Sequence, residues 1–215
     1  MSNFLDELRN DHKDFDNGKL TDFFPSTPFE LFEHWFNEAI RNEEKEPNAL
    51  VLSTCDLTTL KPSSRVVYLK ELVDNQFVFY TNYQSQKGRE LDQNPQASML
   101  FFWPGLQRQV RIDGDVTQVK PEISDAYFNS RPRESQLGAW ASKQSDTLED
   151  RTVLENRFYE LDKQFPNEVP RPAHWGGFAL SPQVVEFWQG RPSRLHDRIV
   201  YQKQNSSWGI YRKNP

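Results

Sequence analysis

The chain holds a single cysteine, Cys55, among 215 residues, which excludes an intrachain disulfide and any thiolate cluster for zinc or iron–sulfur. Histidine is scarce as well, and the four, at positions 12, 34, 174 and 196, are scattered without metal-ligand spacing. No metal site is expected. No stretch approaches the roughly 18 apolar residues of a membrane-spanning helix. The start, Met1-Ser2-Asn3-Phe4-Leu5-Asp6-Glu7, has neither the basic segment nor the apolar run of a signal peptide. A glycine-rich strand-to-helix loop and a Gly-x-Ser-x-Gly elbow are both missing, which removes dinucleotide folds, P-loop enzymes and serine hydrolases. Excess positive charge is missing too: the formal net charge is −5, so no broad attraction to nucleic acid or an anionic membrane is expected. These absences leave a cytoplasmic protein, without nucleic-acid or membrane partners, in which any phosphate chemistry is local.

Aromatics, by contrast, are plentiful, with sixteen Phe, seven Tyr and six Trp to fill a core, a subunit interface or a flat-ligand pocket. Residues 1–24 are polar and without a sustained period and read as an arm, followed by a single domain over 25–215. Thr27-Pro28-Phe29-Glu30 is a helix start, and Leu31, Phe32, Trp35, Phe36, Ala39 and Ile40 follow on one face. From Ala49 the period changes. Strands are expected at 49–54, 64–72, 76–82, 96–103, 107–119, 183–189, 195–203 and 207–212, with helices near 85–93, from Pro121, and over 147–165. Short polar turns between the runs favour antiparallel pairing. The fold class is α+β but mainly β, an antiparallel barrel or strongly curved sheet with peripheral helices.

Against the acidic background, three segments are dense in cations and hydroxyls: Ser64 to Lys70, Tyr80 to Lys87, and Ser130 to Ser135. Arginine offers a planar fork, lysine a point charge and serine a hydroxyl, a set that suits phosphate dianions; each cation alone is more often simply solvated. If 194–198 is a strand, Arg194, His196 and Arg198 share one face, and their mutual repulsion calls for an anion or polar ligand in front of them. Gln144-Ser145 adds an amide and a hydroxyl. Trp188 suits either a flat ring or a core or interface. In a regular strand Arg65 and Lys70 point to opposite faces, so joint duty on a phosphate needs a bulge or a strand end.

Two long stretches, Arg131 to Ser145 (RPRESQLGAWASKQS) and Glu186 to Arg198 (EFWQGRPSRLHDR), resemble the signatures of the pyridoxine/pyridoxamine 5′-phosphate oxidases. The similarity runs from about Leu8 to the C-terminus. It implies a split-barrel fold and a homodimer with FMN in clefts between subunits. The implied reaction is oxidation of pyridoxamine 5′-phosphate or pyridoxine 5′-phosphate to pyridoxal 5′-phosphate with O2 as acceptor. Carried over by position, FMN is held by Arg65, Val66, Lys70, Tyr80, Thr81, Ser85, Gln86, Lys87, Gln109, Gln144, Ser145, Trp188 and Arg198. Substrate phosphate meets Lys70, Tyr127, Arg131 and Ser135, and Arg194 and His196 lie over the substrate ring as the catalytic pair, with orientation ranked above acid–base chemistry. Three departures stand out. Gln86 occupies the place of a family arginine in Ser85-Gln86-Lys87; Arg9 is followed by Asn10-Asp11-His12 where a covering Tyr is usual; and the chain ends Arg212-Lys213-Asn214-Pro215 rather than Arg-Leu-x-Pro. The alternatives are a related flavin oxidase of phenazine biosynthesis and a non-catalytic flavin- or pyridoxal-phosphate-binding protein.

Overall fold

The computed structural model describes residues 15, 16, 18, 20 and 24–215, so most of the arm expected at 1–24, with the Arg9 and His12 positions, lies outside the described residues. The described residues gather into two compact units: those of Met1–Pro47 with Leu100–Ile112 and Val184–Pro215, and Asn48–Met99 with Asp113–Gln183. Among the described residues nine strands pair in the order β2-β1-β5-β6-β7-β4-β3, with β8 on β7 and β9 on β8. They are β1 (Ala49–Cys55), β2 (Pro62–Tyr68), β3 (Glu71–Val73), β4 (Gln76–Asn82), β5 (Gln96–Trp103), β6 (Arg108–Gln118), β7 (Trp175–Gln189), β8 (Asp197–Gln204) and β9 (Ser207–Arg212). The β1–β2, β3–β4, β7–β8 and β8–β9 ladders are antiparallel, as their short connections imply, and so is the β4–β7 ladder, whose strands lie far apart in sequence.

In the first unit, helix α1 (Pro28–Arg41) starts at the expected proline, and its Leu31, Phe32, Trp35 and Ala39 are buried. Aromatic edges lock it in place: Phe32 meets Phe101 at 5.2 Å and Trp35 meets Phe187 at 5.2 Å between centroids. Ile40, expected on the same face, is 52% exposed, because it sits at the edge of the apolar stripe in the last turn.

In the second unit, α2 (Gln86–Gln93) begins at Ser85, whose hydroxyl accepts from the Gly88 N–H. Two helices follow: α3 (Pro121–Ser130) and α4 (Arg133–Ala141). No helix is expected from the sequence pattern over 133–141; Pro132 sits just before the first turn of α4, where a missing N–H costs nothing. Helix α5 (Arg151–Gln164) starts four residues later than expected, capped by the Asp150 side chain on the Thr152 N–H. Phe128, Leu137, Val169 and Trp175 form a buried cluster, against which Phe158 and Leu161 of α5 pack.

Two expectations near the chemistry are corrected. Strand β7 begins at Trp175, eight residues before the expected start, because Gly176-Gly177 broke the strand pattern in the sequence. The glycines are required there: a Cβ on Gly177 would lie 2.8 Å from both the Tyr80 ring and Val119, and one on Gly176 would lie 2.0 Å from the Tyr83 hydroxyl. The second correction concerns Arg194 and His196, which are not strand residues. Pro192–Arg194 forms a 3-10 turn with Ser193 and Arg194 at φ 56° and 61°, and β8 starts only at Asp197. The alternation placing Arg194, His196 and Arg198 on one strand face therefore does not hold.

Candidate functional site

A cavity of about 660 Å³ opens within the second unit, inside the range of about 300–1,000 Å³ usual for small-molecule sites. Of the expected residues, Val66, Lys70, Tyr80, Thr81, Lys87, Tyr127, Arg131, Ser135 and Gln144 line it. The chain brings them together from the end of β2, from β4, from the first turn of α2, and from α3, α4 and the loop after α4. Because β2 stops at Tyr68 and β3 begins at Glu71, Lys70 stands between strands and lines the cavity, whereas Arg65, inside β2, does not line it.

Lys87 is the most informative cation. It is 7% exposed, its Nζ reaches the Thr81 hydroxyl at 3.2 Å and the Ser85 hydroxyl at 3.4 Å, and it has no ion-pair partner among the described residues. Burial, then the nearby charge of Arg65, pushes its pKa down to about 8. Around it the polar groups are already ordered: Thr81 donates to Gln144 Oε1 at 3.2 Å, and the Gln86 N–H donates to the Ser145 hydroxyl at 3.1 Å. The N-terminus of α2 adds its partial positive charge. Ser85, Gln86 and Ser145 thus border the cavity without lining it.

Arg131 carries the second signal. Its Nη1 is the one buried side-chain polar atom among the described residues with no hydrogen-bond partner. Its guanidinium lies 4.7 Å from the Trp175 ring and 5.7 Å from that of Phe128, and burial lowers its pKa, partly offset by Tyr127. Tyr127 stacks on Tyr80 at 3.9 Å, and Tyr80 lies parallel to Trp175 at 5.5 Å. Tyr80 donates to Glu71 Oε1 at 2.6 Å; burial and that carboxylate raise its pKa, so the phenol stays protonated. An orphaned guanidinium donor and a buried, unpaired ammonium in one cavity fit two anionic groups, such as the phosphates of a flavin mononucleotide and a phosphorylated substrate. Trp175 and Asn82 line the cavity too: Trp175 stands before a glycine pair that does not read as strand, and Asn82 lies inside the polar Tyr80 to Lys87 segment without a signal of its own.

The remaining expected residues, Gln109, Trp188, Arg194, His196 and Arg198, belong to the first unit. There Trp188 and His196 lie 4.6 Å apart, and Phe15 presents its ring at 5.8 Å from Trp188 and 5.5 Å from His196. The Arg191 N–H donates to His196 Nδ1 at 3.1 Å, which leaves the ring proton on Nε2. Burial, then Arg194 and Arg198, lower the His196 pKa, so the imidazole is neutral at pH 7 and offers a donor. Arg194 and Leu195 are exposed. Arg198 is committed to Glu186, with Nε at 2.8 Å and Nη2 at 2.5 Å from Oε1. Arg111 and Lys213 also reach that carboxylate, at 3.1 Å and 3.4 Å. Burial raises the Glu186 pKa, but Arg198 and Arg111 outweigh it and the group is held below the usual carboxylate range. Lys213, whose departure from the family ending had no evident consequence in the sequence, therefore ties the C-terminus to Glu186.

The strand order and the cavity define a mainly β, split-barrel protein with a cation-lined cavity. Structural similarity agrees: PhzG from Burkholderia lata, solved with tetrahydrophenazine-1-carboxylic acid, matches with a TM-score of 0.85 and 31% identity over 92% of this chain and 100% of its own. A pyridoxamine 5′-phosphate oxidase-related, FMN-binding protein from Nostoc punctiforme shares the fold at a TM-score of 0.71 and 18% identity, over 88% of this chain and 98% of its own. Residues 36–165 match the family described as pyridoxamine 5′-phosphate oxidase, and residues 175–215 the pyridoxine 5′-phosphate oxidase C-terminal dimerisation region. Proteins named pyridoxine/pyridoxamine 5′-phosphate oxidase are similar over nearly all of the chain. That of Paraburkholderia phymatum is 50% identical over 91% of this chain and 92% of its own; that of a Cyanothece species is 47% identical over 100% of both. The chain belongs to the pyridoxine/pyridoxamine 5′-phosphate oxidase family of oxidoreductases.

Proposed function

We propose that the protein oxidises pyridoxamine 5′-phosphate and pyridoxine 5′-phosphate to pyridoxal 5′-phosphate, using FMN and O2 and releasing H2O2, with water consumed and ammonia released in the case of the amine substrate. The observation that carries this reading is the buried, partnerless Arg131 Nη1 in the same cavity as the unpaired Lys87. When bound, FMN supplies the two-electron acceptor for a hydride from the substrate carbon bearing the amine or alcohol and passes the electrons on to O2. The protein's part is to hold two rings and two phosphates in register. Lys87, Ser85, Thr81 and Arg65 take the cofactor phosphate, with Gln86 and Ser145 at the helix start. Val66, Lys70, Tyr80 and Gln144 border the flavin. Arg131, Ser135, Tyr127 and Lys70 take the substrate phosphate.

Gln109, Trp188 and Arg198 serve FMN, and Arg194 and His196 cover the substrate ring, in a homodimer whose cofactor sites lie between subunits. The match of residues 175–215 to a dimerisation region supports that assembly. With Nδ1 occupied by the Arg191 N–H, His196 orients substrate through an Nε2–H donor. The free Cys55, and the absence among the described residues of any helix long and apolar enough to cross a membrane, suit the cytoplasmic setting we assign. Anaerobic mixing of the FMN-loaded protein with pyridoxamine 5′-phosphate should bleach the flavin band near roughly 450 nm. Bleaching by a reduced phenazine carboxylate alone would assign the protein to phenazine oxidation, and a persistent yellow colour with every donor would leave a binding protein.

A further inference from the structure

Beside the cations of the cavity stands a carboxylate that the proposed reaction does not use. Glu90, on α2, is 4% exposed. It accepts hydrogen bonds from the Thr54 hydroxyl, from the Ser63 hydroxyl at 2.7 Å and from Gln86 Nε2 at 2.9 Å, and Arg65 Nη2 lies 3.3 Å away. Burial pushes its pKa up, but the three hydrogen bonds and Arg65 outweigh burial and keep it ionised at neutral pH. Arg65 directs both terminal nitrogens into this network: Nη1 to the Thr54 hydroxyl at 2.5 Å and the Leu52 carbonyl at 3.4 Å, Nη2 to the Ser63 hydroxyl at 2.6 Å and to Glu90. It does not line the cavity, although its charge is felt at Lys87. Gln86 is neutral, so Arg65 is the cation that pairs with Glu90 among the described residues.

We propose that Glu90 is a resident counter-ion that competes with the cofactor phosphate for Arg65, and so sets how strongly the cavity prefers FMN over unphosphorylated riboflavin. The proposal rests on the reading that Arg65 and Lys87 receive the phosphate of FMN. A guanidinium with one terminal nitrogen on a carboxylate and the other on a hydroxyl that the same carboxylate binds has few donors left for a phosphate, and the two anions repel across the shared cation. Neutralising Glu90 without changing its shape frees Arg65 and removes that repulsion. Glu90 is thus a positioning residue acting through Arg65, and phosphorylated and unphosphorylated flavins report on it separately.

The test is a flavin-fluorescence titration of the apo-protein with FMN and, separately, with riboflavin. Glu90→Gln is expected to raise the FMN-over-riboflavin affinity ratio about tenfold, with riboflavin binding unchanged. In an Arg65→Met background the same substitution is expected to leave the ratio as it is in Arg65→Met alone. Glu90→Met also removes the charge and should move the ratio in the same direction, which keeps the test open should Glu90→Gln fail to fold. A wild-type preference for FMN that stays level or falls in whichever of Glu90→Gln and Glu90→Met folds overturns the proposal. So does a rise in the ratio that persists without Arg65. No wild-type preference for FMN would instead overturn the underlying placement of the cofactor phosphate, and this inference with it.

Discussion

At the scale of single residues, the cavity works through groups that burial has made costly to leave alone. The folded apo-protein holds the Lys87 proton less tightly than the unfolded chain does, with a pKa of about 8 against 10.5. The unfolded chain therefore binds more protons between those values, and apo stability should rise with pH across that window, by about 3 kcal/mol in all. A bound phosphate dianion reverses the preference, because it stabilises the charged ammonium. FMN affinity should accordingly be flat just below pH 8 and fall above it, by up to about tenfold per pH unit. A pH series of FMN titrations checks this, and Lys87→Met should abolish the slope. Arg131 makes a separate claim. Arg131→Met should raise KM for pyridoxamine 5′-phosphate by about 10–100-fold, from the loss of a charge-assisted bond of roughly 1.5–3 kcal/mol, and leave FMN content unchanged. Equal loss of FMN would show that Arg131 serves the cofactor. For Arg194 and His196, alanine variants should depress turnover far more than FMN content; turnover preserved in both would remove them from the reaction.

Among the elements, β7 and the turn after it decide what the side chains can do. Gly176-Gly177 lets β7 approach Tyr83 and Tyr80 more closely than any side chain allows, which holds Trp175 parallel to Tyr80 and beneath Arg131. Gly177→Ala would force Tyr80 or Val119 aside, and overpacking of that kind costs about 1–3 kcal/mol. A lower Tm together with weaker FMN binding is the expected result; a lower Tm with unaltered FMN binding would separate the β7 glycines from the site. At the other end of β7, the left-handed Ser193 and Arg194 lift His196 out of any strand alternation. The ring is instead fixed by the Arg191 N–H and by Trp188. A pattern of alternating residues could not have revealed this, because Arg-Leu-His-Asp-Arg fits a strand equally well.

For the whole molecule, the proposed cofactor and substrate residues fall into two groups, one on each compact unit. The reading that FMN lies between subunits makes a sharp prediction. Lys87→Ala and His196→Ala homodimers should each be nearly inactive. Mixed and reassembled, they should recover activity, since some sites then pair intact halves from different chains. No recovery on mixing, with heterodimers verified by mass, would place each site within one chain.

The sequence by itself determined the chemistry available and much of the framework. The helix start at Pro28, the strands expected over 49–54, 76–82 and 96–103, and the cation-rich segments that contribute to the cavity were all legible, because caps, period and charge are local properties. The two signature stretches also carried the family resemblance. Only the tertiary structure decided which cations lack partners. Whether Arg131 keeps a free donor, whether Arg65 turns to Glu90, and whether Lys87 is buried depend on residues up to dozens of positions away. Burial and pairing are set by packing, which no local pattern records. The same reason accounts for the two misread elements: Gly176-Gly177 looks like a break until the rings opposite are known, and the Arg194–His196 segment looks like a strand until its neighbours hold it as a turn.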